Sequence, residues 1–159
     1  MKTLIFDQAK SCGWAVFEGD NLIEYGIEKL GNDKTAYENV LLPAVEFARR
    51  LMEKTKIDRV IIEGIQYQSN LSVYRKLALL QGALICLFSE NRIPYSVVEP
   101  AKWKSFCKIK GAKRAEQKEN AIRFVKEKYG FDVSSDEADA ICMGVWSLGN
   151  TENLYEGYE

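Results

Sequence analysis

The chain has 159 residues, a formal net charge of −1 and 47% apolar residues, enough for one domain with a real core. It has no histidine, which excludes histidine general bases, Ser-His-Asp triads and imidazole metal sites. Cys12, Cys86, Cys107 and Cys142 show no C-x-x-C spacing, so neither a zinc site nor a disulfide framework is indicated, and each is expected to be a small buried hydrophobe.

The N-terminal half reads as a meander and two helices. Lys2 to Asp7 is a short apolar run closed by an acid. Gly13 to Glu18 and Leu22 to Lys29 are two more runs, and Gly19-Asp20-Asn21 between them is a turn signal. Lys34 to Lys56 has helical periodicity, with Tyr37, Val40, Leu41, Ala44, Phe47, Ala48 and Leu51 on one side; Pro43 inside it marks a kink or a later start. Arg59 to Glu63 is a buried-strand pattern that again ends in an acid. Leu71 to Phe88 is the most apolar helix. Its wide apolar surface predicts burial on most sides, by the core or by another subunit.

The C-terminal half continues with a strand at Tyr95 to Val98 and a short helix at Ala101 to Cys107. After the loop Lys108-Ile109-Lys110-Gly111 comes a helix from Lys113 to Tyr129, stopped by Gly130. Ser134 and Glu137 form a capping box that opens the last helix. The order predicts a mixed α/β sheet with helical crossovers. One domain at 1–150 and an acidic tail at 151–159 are expected. No stretch reads as long and apolar enough to cross a bilayer, and Asp7 interrupts the first apolar run before it reaches signal-peptide length. A cytosolic protein is therefore expected.

Charge is segregated. Ala101 to Lys128 holds ten Lys or Arg and three Glu, a local excess of +7, whereas the last nine residues hold three glutamates and no base. Such a stretch is the footprint of a polyanion binder, or simply a solvated helix face.

Four acids sit where elements meet. Asp7 and Glu63 close apolar strands, and Asp136 and Asp139, three apart, share one face of the last helix. Acids there are costly unless paired or bound to a cation. An all-oxygen set suits magnesium or manganese, and two such ions can drive phosphodiester hydrolysis. Each acid also has a purely structural reading: Asp7 as a turn residue, Glu63 as a loop residue, Asp136 as a helix N-terminal acid. Asp139, between Ala138 and Ala140, is the hardest to explain that way.

Together these residues resemble a family. Asp7 with Ser11-Cys12-Gly13-Trp14-Ala15, then Ile61-Ile62-Glu63 and the long apolar helix, are similar to RuvC-type Holliday junction resolvases, in particular phage members. So are Val98-Glu99-Pro100-Ala101-Lys102-Trp103-Lys104 and Asp136-Glu137-Ala138-Asp139-Ala140. The resemblance runs in order from about Lys2 to Leu148. It implies a ribonuclease-H-like five-stranded sheet, with Asp7, Glu63, Asp136 and Asp139 as catalytic acids holding two magnesium ions (manganese substituting). It implies a homodimer, through the 71–88 helix, that nicks opposed strands of branched DNA. Lys102, Lys104, Lys108, Lys110, Lys113, Arg114 and Lys118 are the candidate phosphate contacts. Lys113 or Lys118 could also stabilise transition-state charge. Tyr67, beside Gln66, is the nearest aromatic to the family's wedge position. The family's glycine-rich loop is reduced to Lys110-Gly111-Ala112-Lys113. Trp103 suits base stacking or core packing.

Two other readings share these features. A ribonuclease H cutting RNA–DNA hybrids has the same core, but normally takes its glutamate from a helix, whereas Glu63 closes a strand. A non-catalytic branched-DNA-binding protein would not need all four acids.

Overall fold

The alternating runs at the N-terminus form an antiparallel meander, β1 (Lys2–Asp7), β2 (Ser11–Glu18) and β3 (Asn21–Lys29), with Gly19 at φ 57° in the intervening turn. The computed structural model describes residues 1–150; the acidic tail expected at 151–159 lies outside the described residues. Strands β4 (Arg59–Glu63) and β5 (Tyr95–Val98) then add in parallel, giving the sheet order β3-β2-β1-β4-β5. Five helices flank this mixed sheet: α1 (Leu41–Thr55), α2 (Leu71–Glu90), α3 (Pro100–Phe106), α4 (Arg114–Tyr129) and α5 (Ser135–Gly149).

Strand parity decides which side each residue serves. Leu4, Phe6, Val16, Val60 and Ile62 face α1 and α2, packing with Phe47, Leu51, Leu80, Leu84 and Phe88. Ile5, Ala15, Phe17, Ile61 and Val98 face the other way, against Trp103, Val125, Ile141 and Met143. Asp7 is two residues beyond Ile5, and Glu63 two beyond Ile61. The alternation therefore carries both acids toward the α5 side, at the same end of neighbouring strands.

Two glycines let α5 press onto the sheet. A Cβ at Gly144 would lie 2.2 Å from the Phe17 ring, and one at Gly13 would lie 2.0 Å from the carbonyl oxygen of Asp136. Gly13 pairs with Asp7 across β1 and β2. The first turn of α5 is thus seated beside the end of β1. The expected capping box forms there: Ser134 Oγ accepts from the Glu137 N–H, and Glu137 Oε2 accepts from the Ser134 N–H at 2.7 Å.

Several expectations are corrected. The periodic segment beginning at Lys34 is not one helix: Tyr37–Asn39 is a single 3-10 turn, and α1 starts at Leu41. Pro43 falls in the first turn of α1, where its missing N–H has no helical partner to lose. Helix α2 is not buried on most sides. Leu80, Leu84, Leu87 and Phe88 are buried, but Leu71, Val73, Tyr74 and Leu79 are exposed. The expectation of no membrane-length apolar stretch also fails, because α2 runs 20 residues and is long and apolar enough to cross a bilayer by length and composition alone. In this fold one stripe of α2 packs on α1 and the sheet instead. Cys86 lies exposed on α2 rather than buried, unlike Cys12, Cys107 and Cys142.

Candidate active site

One cavity of about 690 Å³ opens at the carboxyl ends of β1 and β4, beside the start of α5. Asp7, Glu63, Asp136 and Asp139 all line it. Two strand ends and one helix face supply them, so convergence follows from parity and from the close seat at Gly13.

The acids sense one another. Burial holds the Asp7 carboxyl well above its ordinary range, and the charges of Glu63, Asp139 and Asp136 push it further; Lys104 opposes them. Burial also raises Asp139 to about 7, with Glu63 and Asp136 adding to it and Lys104 and Lys118 working against it. Glu63 is raised mainly by burial, offset by a hydrogen bond from Trp103 and by Lys104. These are carboxylates short of positive charge.

Two of them are held by neutral donors. Trp103, 1% exposed, donates its indole N–H to Glu63 Oε2 at 2.8 Å. Trp103 is thus a core residue that orients an acid, not an exposed stacking platform. Ser11 Oγ donates to Asp136 Oδ2 at 3.0 Å. The Glu63 main-chain carbonyl accepts from Gln8 Nε2 at 2.6 Å and Gln81 Nε2 at 2.9 Å. Strand β4 is therefore tied at its end to β1 and to α2.

An all-oxygen donor set of this kind suits a hard divalent cation. Among the described residues, however, no three Asp, Glu, Cys or His side chains are arranged to hold an ion as they stand. The four acids share one cavity without closing into a coordination shell.

The predicted DNA-contact residues divide. Lys104, Arg114, Lys118 and Gln66 line the cavity. Lys104 Nζ sits 5.4 Å above the Trp103 ring and donates to Gln117 Oε1 at 3.4 Å. Lys108, Lys110 and Lys113 are exposed beyond its rim. Lys102 lies apart, in a shallow depression with Ala101, Ser105, Trp146 and Asn150. Tyr67, 61% exposed, packs edge-on against Tyr74 with 5.9 Å between ring centres, and Tyr74 borders the cavity. Gln8, Tyr37 and Gln117 also line it, and no motif in the sequence marked them as site residues. Their contribution depends on contacts between distant segments, and amides carry no periodic signature.

The fold is similar to those of several solved structures. The chain superposes on Thermus thermophilus RuvC in complex with a Holliday junction substrate with TM-score 0.77, 14% identity, and coverage of 98% of this chain and 99% of that one. The fold is that of the RuvC-type resolvases. The yeast mitochondrial Holliday junction resolvase matches with TM-score 0.60 and 15% identity over 92% of this chain and 77% of that one. The fowlpox virus resolvase, solved with junction DNA, matches with TM-score 0.59 and 17% identity over 95% and 99%. No family model matches the chain, and no curated protein matches it in sequence. At 14%, 15% and 17% identity the likeness is one of fold, and the expected ribonuclease-H-like five-stranded sheet is found at the level of architecture.

Proposed function

We propose that this protein is a metal-dependent endodeoxyribonuclease that resolves Holliday junctions and related branched DNA. The observation that carries this reading is the convergence of Asp7, Glu63, Asp136 and Asp139 on one cavity beside Lys104, Arg114 and Lys118, within a resolvase fold. The four acids would hold magnesium, with manganese as substitute and two ions per site. Bound there, the metal supplies Lewis-acid stabilisation of the scissile phosphate and a more acidic water.

The remaining work falls to the protein. Trp103 and Ser11 keep the Glu63 and Asp136 carboxylates in fixed orientations. Lys104 and Lys118 offset acid repulsion and lie where a phosphate entering the cavity meets positive charge. Lys108, Lys110, Lys113 and Arg114 extend that charge outward along a DNA backbone, and Lys102 continues it on the far side of α3. Tyr67, braced by Tyr74 and next to Gln66, presents an exposed ring to a base at the branch point.

The exposed Leu71, Val73, Tyr74 and Leu79 support a homodimer through α2, and a two-fold dimer matches the two equivalent strands of a four-way junction. Its proposed place of action is the cytosol, of a bacterial host if the protein is phage-encoded. The test is cleavage of junction, flap, Y-shaped, linear duplex and RNA–DNA hybrid substrates with magnesium or EDTA. Paired nicks in the junction, with magnesium only, are expected. A hybrid cut in preference makes the protein a ribonuclease H, and binding without cutting makes it a junction-binding protein.

A further inference from the structure

Gln8 directly follows Asp7 and is 7% exposed. Its Nε2 donates to the Glu63 main-chain carbonyl. A carbonyl can only accept, so this contact fixes which end of the Gln8 amide faces Glu63. The other end, Oε1, is buried, and among the described residues nothing donates to it. A buried acceptor without a donor is costly, and native folds rarely keep one without a reason. Gln8 also lines the cavity of the four acids.

Resting on the metal-dependent reading above, we infer that Gln8 Oε1 is a fifth oxygen donor to the divalent cation in the cavity of Asp7, Glu63, Asp136 and Asp139. Amide carbonyls are ordinary ligands of hard cations. An amide suits this position because it adds an oxygen without adding another negative charge to a crowded acidic site. Gln81 supplies the internal control. It donates to the same Glu63 carbonyl at 2.9 Å but does not line the cavity. If Gln8 only anchors β4, the two glutamines are equivalent; if it faces the cation, they are not.

Manganese binding by calorimetry to the full chain separates these cases. Gln8→Met should weaken manganese affinity about 10-fold or more, since the loss of a ligand costs at least as much as the loss of an outer-shell partner. Gln81→Met should leave it nearly unchanged. Undiminished affinity in Gln8→Met, or equal losses in both variants, overturns the inference. Should Gln8→Met fail to fold by circular dichroism, magnesium titration of the wild-type chain decides by NMR. A shift of the Gln8 side-chain carbonyl carbon with a still Gln81 supports the inference, and a still Gln8 overturns it. A wild type that binds manganese and cuts junctions while Gln8 stays silent overturns this inference alone. A wild type that binds no manganese overturns the metal-dependent reading with it.

Discussion

On the α1 and α2 side of the sheet, β1 and β4 present Leu4, Phe6, Val60 and Ile62 to a fully apolar core; on the α5 side the same two strands end in Asp7 and Glu63. Both sides hold an apolar core, but only the α5 side adds four acids at its edge. The difference teaches that strand parity decides where the acids gather, so changes at the acids and changes in the apolar cores should have different signatures.

The sharpest break is predicted on the α5 side. Asp7→Asn and Asp139→Asn keep side-chain size and remove charge, so each should lower single-turnover junction cleavage by at least about 10³-fold, since metal ligation is worth several kcal/mol of transition-state stabilisation. Junction binding in a gel-shift assay should survive. On the opposite side, Leu84→Ala should cost about 2–5 kcal/mol in denaturant unfolding, from lost burial and a cavity. The folded fraction should still cut.

A smaller effect concerns pH. Asp139 is raised to about 7, and Asp7 is raised well above its ordinary value. Each folded pKa exceeds its unfolded counterpart, so the folded state binds more protons between about pH 4 and 7. Stability without divalent cation should therefore fall as pH rises through that window, giving a lower melting temperature at pH 8 than at pH 5. Magnesium should reduce the difference if it binds the ionised acids. The mildest change in fold stability is expected for Leu79→Glu on the exposed side of α2, within about 0.5 kcal/mol. Sedimentation should nonetheless show a shift toward monomer. Unchanged mass at all concentrations would remove α2 as the contact between copies.

Much of this was legible in the sequence because local rules carry it. Apolar runs closed by Asp7 and Glu63, and the capping box at Ser134 and Glu137, mark strand ends and a helix start without tertiary information. Local rules failed where two segments meet. Whether Pro43 bends a helix or begins one depends on where the chain leaves β3, and the apolar composition of α2 does not say which of its sides finds a partner. The site divides in the same way. The acids could be named from their positions at element ends, but the Trp103 bond to Glu63 and the shared grip of Gln8 and Gln81 join residues up to 55 apart. No pattern within one segment announces them.

The contact between Gly13 and the Asp136 carbonyl has one more implication. It is a point where the antiparallel half of the sheet meets the first turn of the helix bearing the second pair of acids. A single methyl group added at residue 13 would wedge the two apart, widening the gap between Asp7 and the Asp136–Asp139 pair while leaving every one of those side chains intact. Position 13 is thus a spacer set to its minimum, a handle for tuning the span of the site without touching its chemistry.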